Sequence, residues 1–376
     1  MVIPFNRPSL GEGEAHSVTQ VLASARVAGA GSVGRVLEAE ISQFFGTGRS
    51  LLTTSCTHAL ELTAGLLDAS PGDEVIVPSF TFVSTASAFM TRGFRPIFAD
   101  VQPDTLCLDP RSVEQLLSSK TKAICAVHYG GIAADVDALS HISQSASARL
   151  IEDNAHGLFG TMHGQKLGTF GDISTMSFHE TKNITCGEGG AIHIKDFDLV
   201  ERAEILRDKG TDREKFFRGQ VDKYVWRDVG SSWVLSDVLS AILRAQWTRR
   251  EEIQAKRLAI WSRYHQELKE WSEKWGVQQP AVPDGCLHPA HLYFLVMRSL
   301  EHRSRLIRHL ESRGVMAVFH YQALHLSPVG VRLGGRAGQC PVSEAASDRL
   351  VRLPLYADLS PSEVDQIVVA VTDFRP

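Results

Sequence analysis

Lys182 stands in Ser177-Phe178-His179-Glu180-Thr181-Lys182-Asn183, after an apolar run and shortly before Gly187-Glu188-Gly189-Gly190. Upstream, Ile151-Glu152-Asp153 closes a short hydrophobic run with a carboxylate. An amine in a glycine-rich turn can form a Schiff base, and a carboxylate can keep a pyridine nitrogen protonated, so the pair has what pyridoxal phosphate chemistry requires. Ser55-Cys56-Thr57 adds a third group, because it lies where a strand gives way to a helix. The free N–H groups there, with two hydroxyls, favour an anion such as a phosphate. Each piece has a plainer reading: Ser or Thr is a common helix N-cap, and an Asp often ends a strand only to solvate a loop. Together they are more specific, since ligands of open α/β sheets bind at the carboxyl ends of strands and all three fall there. Phe82, in Phe80-Thr81-Phe82 after another strand, could lie against a flat ring or pack in the core. His156 could hydrogen-bond a phenolic oxygen or be satisfied within its loop.

These groups need a scaffold. From about residue 50 to 195, short apolar runs alternate with helical patterns: strands at 51–54, 74–77, 95–99, 123–127 and 150–152, with helices at 57–67, 113–117 and 135–143 between them. Two more strands, 173–178 and 191–194, flank the lysine turn. Continuous apolar runs indicate strands buried on both faces, hence an α/β domain with a mainly parallel sheet. From Lys209 to Ser232 the pattern lapses into a polar, Arg-rich and aromatic stretch longer than an ordinary connection, and such stretches usually carry function or reach another subunit. A long helical pattern covers 235–274, a Pro-rich break covers 280–289, and a smaller α+β unit follows, with a strand at 292–297, a helix at 303–313, a strand at 317–319 and a helix at 361–373. The boundary is placed near residue 245, giving 1–245 as the large domain and 246–376 as bridging helix and small domain.

Composition narrows the ligand class. With 39 Lys+Arg against 43 Asp+Glu, the net charge of −4 carries no polybasic signature for nucleic acid or a membrane surface, so small molecules are the expected ligands. Six scattered cysteines without C-x-x-C spacing suit a reducing cytoplasm, and no metal centre is expected. The first residues lack a charged segment followed by an apolar one, and no apolar run reaches ~18 residues, so neither export nor membrane insertion is expected. Gly29-Ala30-Gly31-Ser32-Val33-Gly34 matches the dinucleotide fingerprint and would suggest an NAD-dependent oxidoreductase. That fingerprint has meaning only after a strand. Residues 14–25 read as a helix, which points instead to a flexible entry loop.

As a set, the residues resemble the DegT/DnrJ/StrS sugar-nucleotide aminotransferases. The likeness runs from Pro4-Phe5 through Pro71-Gly72-Asp73-Glu74-Val75, Thr81-Phe82, Val127-His128-Tyr129-Gly130, Glu152-Asp153, Ser177-Phe178-His179, Lys182-Asn183 and Gly187-Glu188-Gly189-Gly190. It continues in Phe319-His320-Tyr321, Leu324-His325 and Arg352-Leu353-Pro354-Leu355. The resemblance implies a fold-type I, aspartate aminotransferase-like fold and pyridoxal 5'-phosphate as cofactor, cycling through pyridoxamine phosphate. Lys209-Gly210-Thr211, the run Phe216 to Tyr224, Trp226-Arg227-Asp228 and Gly230-Ser231-Ser232 resemble the branch that aminates C4 of dTDP-4-keto-6-deoxyglucose, with L-glutamate as donor.

Carried over by position, the resemblance implies that Lys182 forms the Schiff base and Asp153 pairs with the pyridinium nitrogen. Ser55, Cys56, Thr57 and Ser177 would hold the phosphate, Phe82 would stack on the ring and His156 would approach its 3-oxygen. The region of Trp226 to Ser232 would reach the partner's cofactor in a homodimer with shared active sites. Arg218, Lys223 and Arg227 are candidates for the substrate diphosphate, and Trp226, His320 and Tyr321 for the rest of the nucleotide sugar. Three positions depart from the common pattern: Ser232, where Asn is frequent, Asn154, where Ala is, and His156, often Gln. Lys182 argues against the family's dehydratase branch, which has His there. The alternatives carried forward are a 3-keto or UDP-linked sugar as substrate, and a non-catalytic binding protein on the same scaffold.

Overall fold

The computed structural model describes residues 2–376. Helices α1 (Glu12–Ala23) and α2 (Ser32–Phe45) lead into β1 (Arg49–Thr53) and α3 (Cys56–Leu66). There follow β2 (Glu74–Pro78), α4 (Ser84–Met90), β3 (Arg95–Ala99), a helix at Pro110–Leu116, β4 (Thr121–Val127), a helix at Val136–Ser145 and β5 (Arg149–Asp153). Strands Ile173–Ser177 and Gly190–Ile194 complete a seven-stranded sheet. In it β1 pairs with Gly190–Ile194, which pairs with Ile173–Ser177, followed by β5, β4, β2 and β3. Only Gly190–Ile194 runs antiparallel to its neighbours. β2 and β4 are buried at nearly every position, as expected of strands covered on both faces. The parallel arrangement puts the ends of β1, β5 and Ile173–Ser177 on one edge.

The second core lies beyond residue 250. Helices Arg250–Glu267, Lys269–Trp275, Leu300–Ser312 and Pro361–Thr372 surround a two-stranded antiparallel sheet of Tyr293–Val296 and Leu350–Leu353. Tyr264, Trp271, Tyr293, Leu310, Val351 and Ile367 fill it, joined by Ile3 from the other end of the chain. Residue 245 falls inside the helix Asp237–Thr248.

Three expectations are corrected. The single helical pattern at 235–274 is three helices, Asp237–Thr248, Arg250–Glu267 and Lys269–Trp275, with breaks at Arg249, whose φ of −94° and ψ of 4° lie outside the helical region, and at Leu268. Residues 317–319 form no strand, only an isolated bridge between Val318 and Arg352; the partner of Tyr293–Val296 is instead Leu350–Leu353. The glycine-rich run is no entry loop either. Gly31 caps α2, and the buried Asp237 carboxylate accepts the N–H groups of Val33 (3.3 Å) and Gly34 (3.0 Å). A Cβ on Gly31 would sit 2.0 Å from Asp237 Oδ2. The glycines admit a carboxylate to a helix N-terminus, the place a pyrophosphate takes in a dinucleotide fold.

Candidate active site

The strand edge opens into a cavity of about 520 Å³. One wall is the start of α3. Ser55 is its N-cap and accepts the His58 N–H at 3.1 Å, which leaves the N–H groups of Cys56 and Thr57 free by the helical pattern. Thr57 Oγ1 lies 2.7 Å from Ser84 Oγ, and Ser177 ends the neighbouring strand. The wall can stand this close because residue 190 is glycine: a Cβ there would lie 2.3 Å from the Ser55 carbonyl carbon and 2.4 Å from the Cys56 nitrogen.

Asp153 ends β5 and faces the cavity. Thr85 Oγ1 donates to one carboxylate oxygen at 2.8 Å, and the Ala155 N–H donates to the other at 3.2 Å. Burial raises its pKa, and those two hydrogen bonds work against the rise. Its neighbour Glu152 points the opposite way, as alternate strand residues must. Fully buried, it accepts N–H bonds from Gly168, Phe170 and Gly171 and pairs with His128 Nε2 at 2.9 Å, so the end of β5 is fixed from behind.

Lys182 hangs from the turn between Ser177 and Gly190, its N–H donating to the His179 carbonyl at 2.9 Å. Burial lowers its pKa to about 8, although Cys56 and Asp153 raise it. A larger share of the side chain is therefore neutral, and nucleophilic, near neutral pH than for an exposed lysine. His156 stacks on His291 (ring centroids 4.2 Å apart) and accepts the Gly130 N–H at Nδ1 (3.3 Å). Burial drives its pKa well down, so the ring is neutral and Nε2 carries the proton. Phe82, 55% exposed, lines the mouth beside Tyr321, and His320 stacks on Tyr321 at 3.5 Å while its Nδ1 meets the Tyr129 hydroxyl at 2.7 Å.

The fold thus gathers Ser55, Cys56, Thr57, Phe82, Asp153, His156, Ser177, Lys182, His320 and Tyr321 around one cavity. Arg218, Lys223, Trp226, Arg227 and Ser232 lie outside it within the same chain. Arg218 is engaged bidentately by Glu204 (3.0 and 2.9 Å), and Arg227 Nε donates to a single Asp212 carboxylate oxygen (2.7 Å). Trp226 is 76% exposed. Arg352, Phe5 and Asn6 also line the cavity, with no role given to them by the sequence reading. The available signal for Arg352 was a cation inside the otherwise apolar run Leu350-Val351-Arg352-Leu353.

The donor set fits pyridoxal phosphate. Free N–H groups and hydroxyls at α3 could take its phosphate, Asp153 its ring nitrogen, the neutral His156 its phenolic oxygen and Lys182 its aldehyde carbon. Comparison with known proteins points the same way. The family described as DegT/DnrJ/EryC1/StrS aminotransferases matches residues 8–372. The aminotransferase TlmJ from Streptoalloteichus hindustanus is 32% identical, with 99% of this chain and 98% of that one covered and a TM-score of 0.91. A provisionally assigned sugar aminotransferase from Streptococcus pneumoniae, Spr1654, in its pyridoxamine phosphate (PMP) form, is 28% identical over 98% of each chain, with a TM-score of 0.92; it is also known in a PLP form. 3-Amino-5-hydroxybenzoic acid synthase is 26% identical, with 99% of each chain covered and a TM-score of 0.88.

Proposed function

Because the chain belongs to the DegT/DnrJ/EryC1/StrS aminotransferase family and uses pyridoxal phosphate, we propose that it aminates C4 of dTDP-4-keto-6-deoxyglucose, taking the amino group from L-glutamate. The product is a dTDP-4-amino-4,6-dideoxyhexose, as for dTDP-4-amino-4,6-dideoxygalactose transaminase. The observation that carries the catalytic part is the convergence of Lys182, Asp153 and the start of α3 on one cavity. The polar segment 209–232 supports the choice of C4 and of dTDP.

Bound there, pyridoxal phosphate supplies a carbonyl that carries the amino group and a ring that withdraws electrons. Lys182 Nζ would hold the cofactor at its aldehyde carbon, and the same amine would be the base that moves a proton at the donor Cα and at sugar C4. Asp153 keeps the ring nitrogen protonated, its geometry set by Thr85 and the Ala155 N–H. Cys56 and Thr57 offer backbone N–H groups to the phosphate, beside the Ser55, Thr57 and Ser177 hydroxyls. Phe82 covers the ring, and His156 donates Nε2–H to its oxygen. Two subunits share each site, with Trp226 to Ser232 of one reaching the other. Phe216, Tyr224, Trp226 and Val229, exposed along residues 209–232, are the apolar surface such a contact would cover.

The test is the absorbance spectrum of the pyridoxamine-loaded protein mixed with dTDP-4-keto-6-deoxyglucose. Return of the band of lysine-bound cofactor is the expected result. No return with this sugar, but return with a UDP-linked or 3-keto sugar, would move the substrate while keeping the chemistry.

A further inference from the structure

His291 lines the cavity from the segment that leads into the strand Tyr293–Val296, and that segment is clamped. From the helix Arg250–Glu267, Gln254 Nε2 donates to the Pro289 carbonyl at 2.9 Å and Arg257 Nε donates to the Ala290 carbonyl at 3.1 Å. Asn183, the residue after Lys182, adds a hold from the lysine turn: its Nδ2 donates to the same Pro289 carbonyl at 2.7 Å, and its Oδ1 meets His291 Nδ1 at 2.9 Å. A carbonyl can only accept, so Pro289 fixes which end of the Asn183 amide faces it. The oxygen at the other end must then receive a proton from His291, which holds the imidazole as the Nδ1–H tautomer.

The face of that ring lies on His156, with centroids 4.2 Å and planes 30° apart. His156 needs such a wall. The hydrogen bond it accepts from the Gly130 N–H is long, at 3.3 Å, while Tyr129 meets it edge-on at 5.9 Å and His320 stands 6.1 Å away. The torsion that turns an imidazole is broad, so a ring tethered by one weak bond swivels unless something lies flat against it. Burial pushes the pKa of both rings well down, so the stacked pair is neutral and free of charge repulsion. A Gln at position 156 would offer no face to stack, so the pairing belongs to a chain with His there. We propose that His291, locked by Asn183, is a positioning residue whose ring face fixes His156 so that its Nε2–H points at the phenolic oxygen of the cofactor.

This rests on the role given above to His156, and the cofactor's own titration separates the two. An N–H donated to the phenolic oxygen favours the form in which the nitrogen joining Lys182 to the cofactor has lost its proton, because the oxygen then carries its charge unshared. A well-aimed donor therefore lowers the pH at which the absorbance band of the lysine-bound cofactor changes, and a loosened donor lets it rise. The midpoint is measured without substrate in wild type, His156→Ala, His291→Asn, His291→Phe and the double variant of His156→Ala with His291→Asn. Asn places an N–H where Nδ1 stood, keeping the bond to Asn183 but losing the ring, whereas Phe keeps the ring face. His156→Ala and His291→Asn should each raise the midpoint by about half a pH unit or more. His291→Phe should stay nearer wild type, and the double variant should match His156→Ala, since both changes act through one ring. An unmoved midpoint in His291→Asn beside a raised one in His156→Ala overturns the positioning role and keeps that of His156. Midpoints unmoved in both overturn both roles. Equal shifts in His291→Asn and His291→Phe, or additive shifts in the double variant, overturn the positioning role as well. Independently of any variant's folding, nitrogen NMR of the histidine rings in cofactor-free wild type should find His291 protonated at Nδ1 and His156 at Nε2; the opposite tautomer at either ring overturns it.

Discussion

At the scale of the residue, Lys182 and Asp153 are both ionisable groups held where their charged forms are disfavoured, and each shift has a consequence. In the cofactor-free protein the Lys182 pKa lies near 8, against about 10.4 for the unfolded chain. Below about 8 the fold must therefore hold a buried ammonium, and that penalty is fully present there. As pH rises from 8 toward the unfolded value, the folded lysine is neutral while the unfolded one still binds a proton, so stability climbs through this window. Lys182→Met should accordingly stabilise the cofactor-free protein at pH 7 by about 1–3 kcal/mol and by much less near pH 10, read from urea unfolding at both. The same variant should have no turnover; measurable steady-state activity would refute the role proposed for Lys182. Asp153→Asn keeps the shape but removes the charge that holds the ring proton. Its rate should fall by about 10²-fold or more with cofactor still bound, and an unaffected rate would mean that another carboxylate does this work.

At the scale of the element, the phosphate wall depends on how closely α3 approaches the antiparallel strand. Gly190 is the contact, and its neighbours are backbone atoms that cannot swing aside. Gly190→Ala should push the Ser55–Cys56 turn outward, weakening pyridoxal phosphate affinity by about tenfold or more and costing about 1–3 kcal/mol of stability. Fluorescence titration of the cofactor and a denaturation curve check both. A normal affinity would mean that the start of α3 does not carry the phosphate. The glycines before α2 show the same device, a backbone approached closely by another group, with Asp237 as occupant.

At the scale of the whole molecule, the question is what completes the cavity. Within one chain Arg227 and Ser232 lie outside it, yet the proposed dimer would bring them to the partner's site. Mixing decides this. Lys182→Ala subunits and subunits carrying Arg227→Ser with Ser232→Ala should each be inactive or strongly impaired alone. Exchanged into hybrids, they should regain up to about a quarter of wild-type activity, because random pairing makes half the dimers hybrid and each hybrid holds one intact site. No recovery after confirmed exchange would place both groups in the same subunit's site. Among the described residues no helix is long and apolar enough to cross a membrane.

Lys182, Asp153 and Ser55 to Thr57 were legible in the chain because each is a chemical group at the end of an apolar run, and runs of that kind are local signals. The β-strands of the large sheet were legible for the same reason, since burial on both faces leaves few polar positions within them. Other features depended on distant partners. Asp237 turned a dinucleotide-like glycine run into a helix cap from more than 200 residues away. Arg249 and Leu268 broke a helix whose polar pattern continues across them. Leu350–Leu353, a short run with an arginine inside it, became a strand only by pairing with Tyr293–Val296. Sequence alone determined which groups the chain owns and the class of chemistry they suit. Tertiary structure alone decided that Arg352 and Phe5 share the cavity with Lys182, because pairing between distant segments and the direction of a side chain across a sheet are settled by packing, which no local pattern encodes.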